Sequence, residues 1–416
     1  MVALAPFRAL RYNLANVGDV STVVSPPYDV ISPQLQAQLY AASPYNIVRV
    51  IFGTQSSSDT DADNRYTRAK RTFEEWREQN VLVRDQAPAI YLYEHRFAWQ
   101  GASFTRLGFV ALLDFDRTDP KTVLPHEATF GEPKADRTKL LEAVGAVLEP
   151  IFFIVPDPTG AIRSLLLRLS ERPPLLSARV KDDAIRVWAV TDVHAIAQLQ
   201  EAVAPSSVLI ADGHHRYAVA LANRARFGPV MGCFVTMNDP GVRVRPIHRV
   251  ARVTAEQQRL WDQHLAQACQ VQPVASVTAL MEQLAAAKEE GHFGYYANGR
   301  YAHVIVKPDV LANWLMRPSV PLALAGLDVT ILHQVVVPQV VSESAPNVNH
   351  LFAYTPDSGE AVGMVDRQKG SCAWLLRELP LEHVYALASQ GLTLPQKSTY
   401  FYPKLLSGLF IHPCRS

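Results

Sequence analysis

A mixed α+β fold is predicted for this 416-residue chain by three observations. Strand-like and helix-like stretches interleave, but without the even spacing of a doubly wound parallel sheet. Two turn signals, Gln100-Gly101 and Asn298-Gly299, each sit between alternating apolar segments and announce antiparallel hairpins. Hydrophobic residues make up 48% and charged residues 19%, enough for real cores and against global disorder. The length suggests about two or three domains of ordinary size. A change to helix-rich texture near Thr254 divides the chain into residues 1–251 and 252–416.

Taken in order, "TVVSPPYDV" (residues 22–30) reads as a short strand ending in a Pro-Pro turn, with Tyr28 and Asp29 exposed beyond it. "NIVRVIFG" (46–53) reads as a buried strand and the Ser/Asp run after it as a polar loop. "RYTRAKRTFEEWREQNVL" is a helix whose Tyr66, Ala69, Phe73 and Trp76 form one apolar stripe, so Trp76 is core. Residues 89–115 form the first hairpin. Leu140, Leu141, Val144, Val147 and Leu148 define an amphipathic helix started by Asp136 or the loop before it. "IFFIVPD" and "SSVLIAD" are strands, and residues 216–226 are helical with Ala218, Leu221, Ala222 and Ala225 on one face. "GPVMGCFVTMND" and "RVRPIHRVARV" read as strands, and "HFGYYANGRYAHVIV" is the second hairpin.

Forty Lys and Arg against 39 Asp and Glu leave a net charge of +1, without the basic excess that binding to nucleic-acid phosphates calls for. The four cysteines (Cys233, Cys269, Cys372, Cys414) are widely spaced, which fits reduced thiols rather than a disulfide framework or a zinc ribbon. The N-terminus lacks the charged and apolar regions of a signal peptide, and no run of about 18 apolar residues occurs. A soluble cytoplasmic protein that binds neither nucleic acid nor membrane is expected.

Three polar constellations carry the chemistry. In "ADGHHRYAVALANRARF" (211–227) a strand hands over to a helix at Asp212, Gly213, His214, His215 and Arg216. The first turn of a helix has free N–H groups and partial positive charge, which suits an anion. Gly213 allows close backbone approach, Arg216 offers a phosphate-gripping fork, and Asp212 is a candidate for Mg²⁺. In "LPHEATFGEPKADRTKLL" His126, Glu127, Lys134 and Arg137 gather at a helix entrance, an acid/base candidate beside two cations. In "LPQKSTYFYPKLLSGLF" Lys397, Ser398, Thr399 and Lys404 interleave with three aromatics, a composition that suits a return into a pocket. No P-loop, GxGxxG, kinase, HExxH or GxSxG signature is present.

These stretches, with "SPPYDVIS", "NIVRVIFG" and "LDVTILH", resemble the prokaryotic family known as domain of unknown function 1015 over nearly the whole chain. Gln396 stands where that pattern has a second proline. The DGHHR turn is similar to that of archaeal free-serine kinases, which resemble the ParB/sulfiredoxin-like superfamily. The resemblance implies a ParB/sulfiredoxin-like N-terminal part and a nucleotide site at Gly213, His214, His215 and Arg216. Lys134, Arg137, Lys397, Ser398, Thr399 and Lys404 are expected to complete it.

The expected function is a small-molecule kinase that transfers phosphate from ADP or ATP, with Mg²⁺, to a hydroxylated metabolite such as free serine. Glu127 is the expected general base, with His215 and Arg216 catalytic. Rival readings are a non-catalytic ParB-like nucleotide-binding regulator, which would form a homodimer around its nucleotide, and a nucleotide hydrolase or phosphatase. Glu127, Lys134 and Arg137 are expected to converge on the turn at His215 and Arg216.

Overall fold

The structure is a computed structural model that describes residues 1–129, 131–316, 321–337, 351–368 and 370–414. The fold is α+β with mixed sheets, in two compact units: Met1–Arg243 with Pro403–Ser416, and Val244–Tyr402.

The first unit is built on a nine-stranded sheet among the described residues. Its strands are β1 (Leu4–Ala5), β2 (Ile90–Trp99), β3 (Ala102–Leu113), β4 (Val123–Leu124), β5 (Ile151–Val155), β6 (Leu176–Val180), β7 (Asp183–Val190), β8 (Val208–Asp212) and β9 (Val230–Thr236). They lie in the order β4-β8-β5-β9-β3-β2-β7-β6, with β1 added to β3. The β8–β4 and β9–β5 pairs are parallel and the others antiparallel. The β2–β3 hairpin turns at Gln100 (φ 48°) and Gly101 (φ 78°), the two positive φ values that a two-residue type I′ turn requires.

The helices of this unit include α1 (Arg65–Glu78), α2 (Gly131–Val144), α3 (Ala161–Ser170), α4 (Val193–Val203) and α5 (His214–Ala222). Helices α3 and α4 lay Ile162, Leu165, Leu166, Leu169, Ile196 and Leu199 on one sheet face, against Leu92, Phe109, Phe153 and Phe234. Phe153 and Phe234 stack at 4.9 Å between centroids, and Gly232 lies against that stack. The expected stripe of α1 packs through Ala69, Phe73 and Trp76, all buried.

Several local expectations are corrected. Residues 46–53 hold a one-turn helix, Val48–Ile51, instead of a strand. Val48, Val50 and Ile51 are buried all round, and a run without a polar face carries no period to separate strand from helix. Asn46 caps this turn by accepting from the Val48 N–H, and its amide donates to the Thr22 and Val24 carbonyls. Residues 20–30 form the 3₁₀ turns Val20–Thr22 and Tyr28–Val30, with a single antiparallel bridge from Ser25 to Ser407 between them. Helix α2 begins at Gly131, before the expected Asp136, and ends at Val144, where Gly145 takes φ +65° and donates to the Leu141 carbonyl. Lys134 and Arg137 thus stand on the helix rather than ahead of it. On α5 the hidden residues are His214, Val219 and Ala220, whereas Ala222 is exposed, and the expected helix breaks at Asn223 before a separate turn, Arg224–Phe227, that carries the exposed Ala225.

The second unit holds a six-stranded sheet among the described residues, with β10 (His248–Ala251), β11 (Cys269–Val274), β12 (His292–Ala297), β13 (Arg300–Val306), β14 (Phe352–Thr355) and β15 (Cys372–Leu375). The order is β11-β13-β12-β15-β10-β14, every pair antiparallel. The Asn298-Gly299 turn joins β12 to β13 as expected. No helix among the described residues is long and apolar enough to cross a membrane.

The aromatic stack supplies a test of the packing. A Cβ at Gly232 would sit 2.6 Å from the Phe153 ring, and that ring is held by its stack on Phe234. Gly232→Ala should lower stability by about 1–3 kcal/mol in urea denaturation of the full chain, the usual cost of overpacking. An unchanged midpoint would show that the ring moves freely and that the stack does not constrain the sheet.

Candidate functional site

The end of β8 and the start of α5 form the turn that the sequence singles out. Gly213 adopts φ +94°, a left-handed conformation that suits glycine, and a Cβ there would lie 3.0 Å from Arg216 Nη2. The helical ladder opens with Tyr217 N–H donating to the Gly213 carbonyl, so the N–H groups of His214, His215 and Arg216 precede it.

Arg216 folds back over this turn. Its Nη2 donates to Asp212 Oδ2 at 2.8 Å and its Nη1 to the Pro150 carbonyl at 2.7 Å. The other oxygen of Asp212 receives the Lys404 ammonium, which arrives from the C-terminal segment of the same unit. Burial acts to raise the Asp212 carboxyl, but Lys404 and Arg216 outweigh it and hold the pKa below the usual range. Burial likewise opposes the charge of Arg216, and Glu149, Asp212 and Asp29 more than restore it.

Two carboxylates that sequence reasoning did not select complete this cluster. Glu149, buried, accepts from the Ser407 hydroxyl at 2.9 Å and the Tyr28 N–H at 3.4 Å, with Arg137 Nη1 at 3.9 Å. Asp29 stands in the 3₁₀ turn after Pro27. Its side chain reaches solvent, yet crowding by surrounding protein and the nearby Asp212 raise its pKa against the pull of Lys404 and Arg216. "PPYDV" was visible in the sequence as a turn, but its chemistry was not. Glu149 is hidden in an apolar run, and only its place one residue before Pro150 sets it apart.

His126, Glu127 and Arg137 of the second constellation lie at the same turn. His214 is buried, and its Nε2 accepts from the His126 N–H at 3.2 Å. That bond fixes the proton of neutral His214 on Nδ1, which faces Glu127 Oε2 at 4.0 Å. The His126 and His214 rings pack edge to face at 4.6 Å. Arg137 faces inward: it grips Asp136 through Nε at 2.8 Å, donates to the Ile51 carbonyl at 3.1 Å and stacks 3.9 Å above the Tyr28 ring. Arg137, Glu149 and Arg216 line one pocket of about 60 Å³, lined otherwise by Leu140, Val219 and other apolar side chains. Lys134 stands half-buried on α2, one turn ahead of Arg137, and His215 is half-buried beside His214.

Lys397, Ser398 and Thr399 belong to the second unit. There Lys397 is exposed at φ +56°, and its carbonyl accepts from the fully buried Arg249 at 2.9 Å. The Ser398 hydroxyl donates to the Pro395 carbonyl at 2.5 Å, and Thr399 is buried.

The expected Mg²⁺ does not fit Asp212. Each of its oxygens already carries a cation, so a divalent ion there would stand against Lys404 and Arg216. Among the described residues no group of three or more His, Cys, Asp or Glu side chains is arranged to hold a metal. What the cluster offers is two cations held in fixed directions, with a solvent-reaching carboxylate beside them whose proton affinity is increased.

Residues 4–330 match the family described as "Protein of unknown function (DUF1015)". The chain belongs to the DUF1015 family. Among solved structures it is similar to a free serine kinase in complex with AMP, at 13% identity over 70% of this chain and 86% of that one, with a TM-score of 0.38. It is similar also to a conserved hypothetical protein from Pyrococcus furiosus (11% identity, 71% and 92% covered, TM-score 0.36). A C-terminally truncated SbnI from Staphylococcus aureus is a third (10% identity, 71% and 85% covered, TM-score 0.36). No curated protein sequence matches the chain.

The paired histidines set a pH dependence for this DUF1015 protein. Burial pushes His126 down to about 4 from 6.5, and burial with the neighbouring His126 pushes His214 well below its usual value. As pH falls below 6.5 the unfolded chain takes up protons that the folded one refuses, so stability falls, by up to about 1.4 kcal/mol per pH unit for each histidine. Denaturation midpoints between pH 6.5 and 4.5 should therefore decline, and His214→Asn should flatten the decline. An equally steep fall in the variant would show that His214 is not held neutral.

Proposed function

We propose that this protein is a nucleotide-dependent phosphotransferase that acts on a small hydroxylated metabolite, free serine being the acceptor that the DGHHR resemblance implies. The observation that carries the proposal is Asp29: a carboxylate of raised proton affinity, open to solvent and set beside Arg216 and Lys404 at the N-terminus of α5. Phosphoryl transfer asks a protein chiefly for positioning and for charge neutralisation. The α5 N-terminus with Arg216 and Lys404 offers both to the phosphates of ADP or ATP.

The acceptor oxygen attacks the terminal phosphorus of the nucleotide while Asp29 accepts the hydroxyl proton. The bond from phosphorus to the bridging oxygen breaks, and the shortened nucleotide leaves with its charge against Lys404 and Arg216. Glu127, the base expected from sequence, lies across His214 Nδ1 and serves in this reading to hold that imidazole. His215 and Lys134, in the same unit, are the further candidates for contacts to the nucleotide or acceptor.

The test is a phosphate-transfer assay on the full chain, with ADP or ATP and serine, followed by phosphorus NMR. Wild type should form a phosphorylated acceptor. Asp29→Asn should lower the rate about 10²–10⁴-fold, the range for loss of a general base, and Glu127→Gln should lower it much less. The reverse order of the two variants would return the base to Glu127. Nucleotide binding without turnover would favour the regulator reading, and phosphate release without acceptor the hydrolase reading.

A further inference from the structure

We propose that Arg106 is a positioning residue that sets Lys404 on Asp212 by holding the backbone carbonyl just ahead of it. The proposal rests on the functional reading of the Asp212 cluster. Arg106 lies on β3 and is fully buried, one of the largest side chains among the described residues to be so. Its Nη1 donates to the Pro403 carbonyl at 2.6 Å; the Tyr93 hydroxyl lies nearby, while Nε and Nη2 make no hydrogen bond of good geometry.

No carboxylate pairs with Arg106 among the described residues. Asp239, the nearest candidate, is engaged by Arg163 at 2.5 Å and by the N–H groups of Leu107 and Gly241. A buried cation without a counter-ion is costly, and a methionine could fill the same space without that desolvation. The energetic disadvantage has one evident return, control over where the C-terminal segment runs.

That segment is pinned at successive points. Pro403 is held by Arg106, and Lys404 reaches Asp212. Ser407 pairs through its backbone with Ser25 and through its hydroxyl with Glu149. The Arg106 guanidinium also lies 4.9 Å over the ring of Phe152, whose Cα is opposite Asp212 in the β5–β8 register. Arg106 therefore supports both partners of the Lys404–Asp212 contact, one through the Pro403 carbonyl and one through the strand that carries Phe152, without meeting the site itself.

The experiment is a double-mutant cycle on the full chain with Arg106→Met, Lys404→Met and the pair, reading ADP affinity by calorimetry and backbone amide exchange at Ser407. Arg106→Met should weaken ADP binding at least tenfold, and in the Lys404→Met background it should add nothing, because its effect runs through Lys404. Arg106→Lys should recover part of the loss. Exchange at Ser407 should speed up in Arg106→Met with a melting temperature close to wild type. An equal loss in both backgrounds, or no loss at all, overturns the proposal. Should Arg106→Met not fold, Arg106→Lys is carried through the same cycle. If wild type binds no ADP, the functional reading fails, and unchanged exchange at Ser407 then overturns the positioning role separately.

Discussion

Asp212 stands at the end of β8 with one oxygen on Lys404 and the other on Arg216, and the turn into α5 and the C-terminal segment are arranged around it. Desolvation opposes the charges of Asp212 and Arg216, and attraction to their neighbours outweighs it. Removing one member of a buried ion pair strands the other, at up to about 3–5 kcal/mol. The network thus fixes where the C-terminal segment docks on this unit and which way both cations point.

The turn geometry follows from the same constraint. Gly213 must be in the left-handed region for Arg216 to fold back over it, and the Arg216 guanidinium occupies the space that a side chain there would need. Glu149 ties Tyr28, Arg137 and Ser407 together behind the cations, which keeps Asp29 within electrostatic reach of Asp212. Asp29 alone among these carboxylates is open to solvent, which is why the proposed reaction is assigned to it.

Local patterns were legible in the sequence where their cause was local. Asn298-Gly299 and Gln100-Gly101 turn as their backbone preferences dictate, α1 follows its apolar stripe, and β8-Gly213-α5 is where the residue order put it. The stretches misread were those whose partners lie far off. Residues 22–30 are tied by the Asn46 amide and bridge only once, to Ser407, and residues 46–53 read as a strand because their mostly buried apolar run hides the period. For the site, pattern reached the residues at the turn but not their pairings. Lys404 is 192 residues from Asp212, and its contact, together with that of Arg216, is what leaves no place for Mg²⁺ there. Arg106 looks like any cation on an alternating strand until its burial is known.

A crystal structure of the full chain with ADP tests the central claim most directly. The account predicts a phosphate against the first turn of α5, within hydrogen-bond reach of Lys404 or Arg216, and Asp29 facing the space beyond it. Nucleotide bound elsewhere on the chain, with the Lys404–Asp212–Arg216 contacts unchanged, would contradict it.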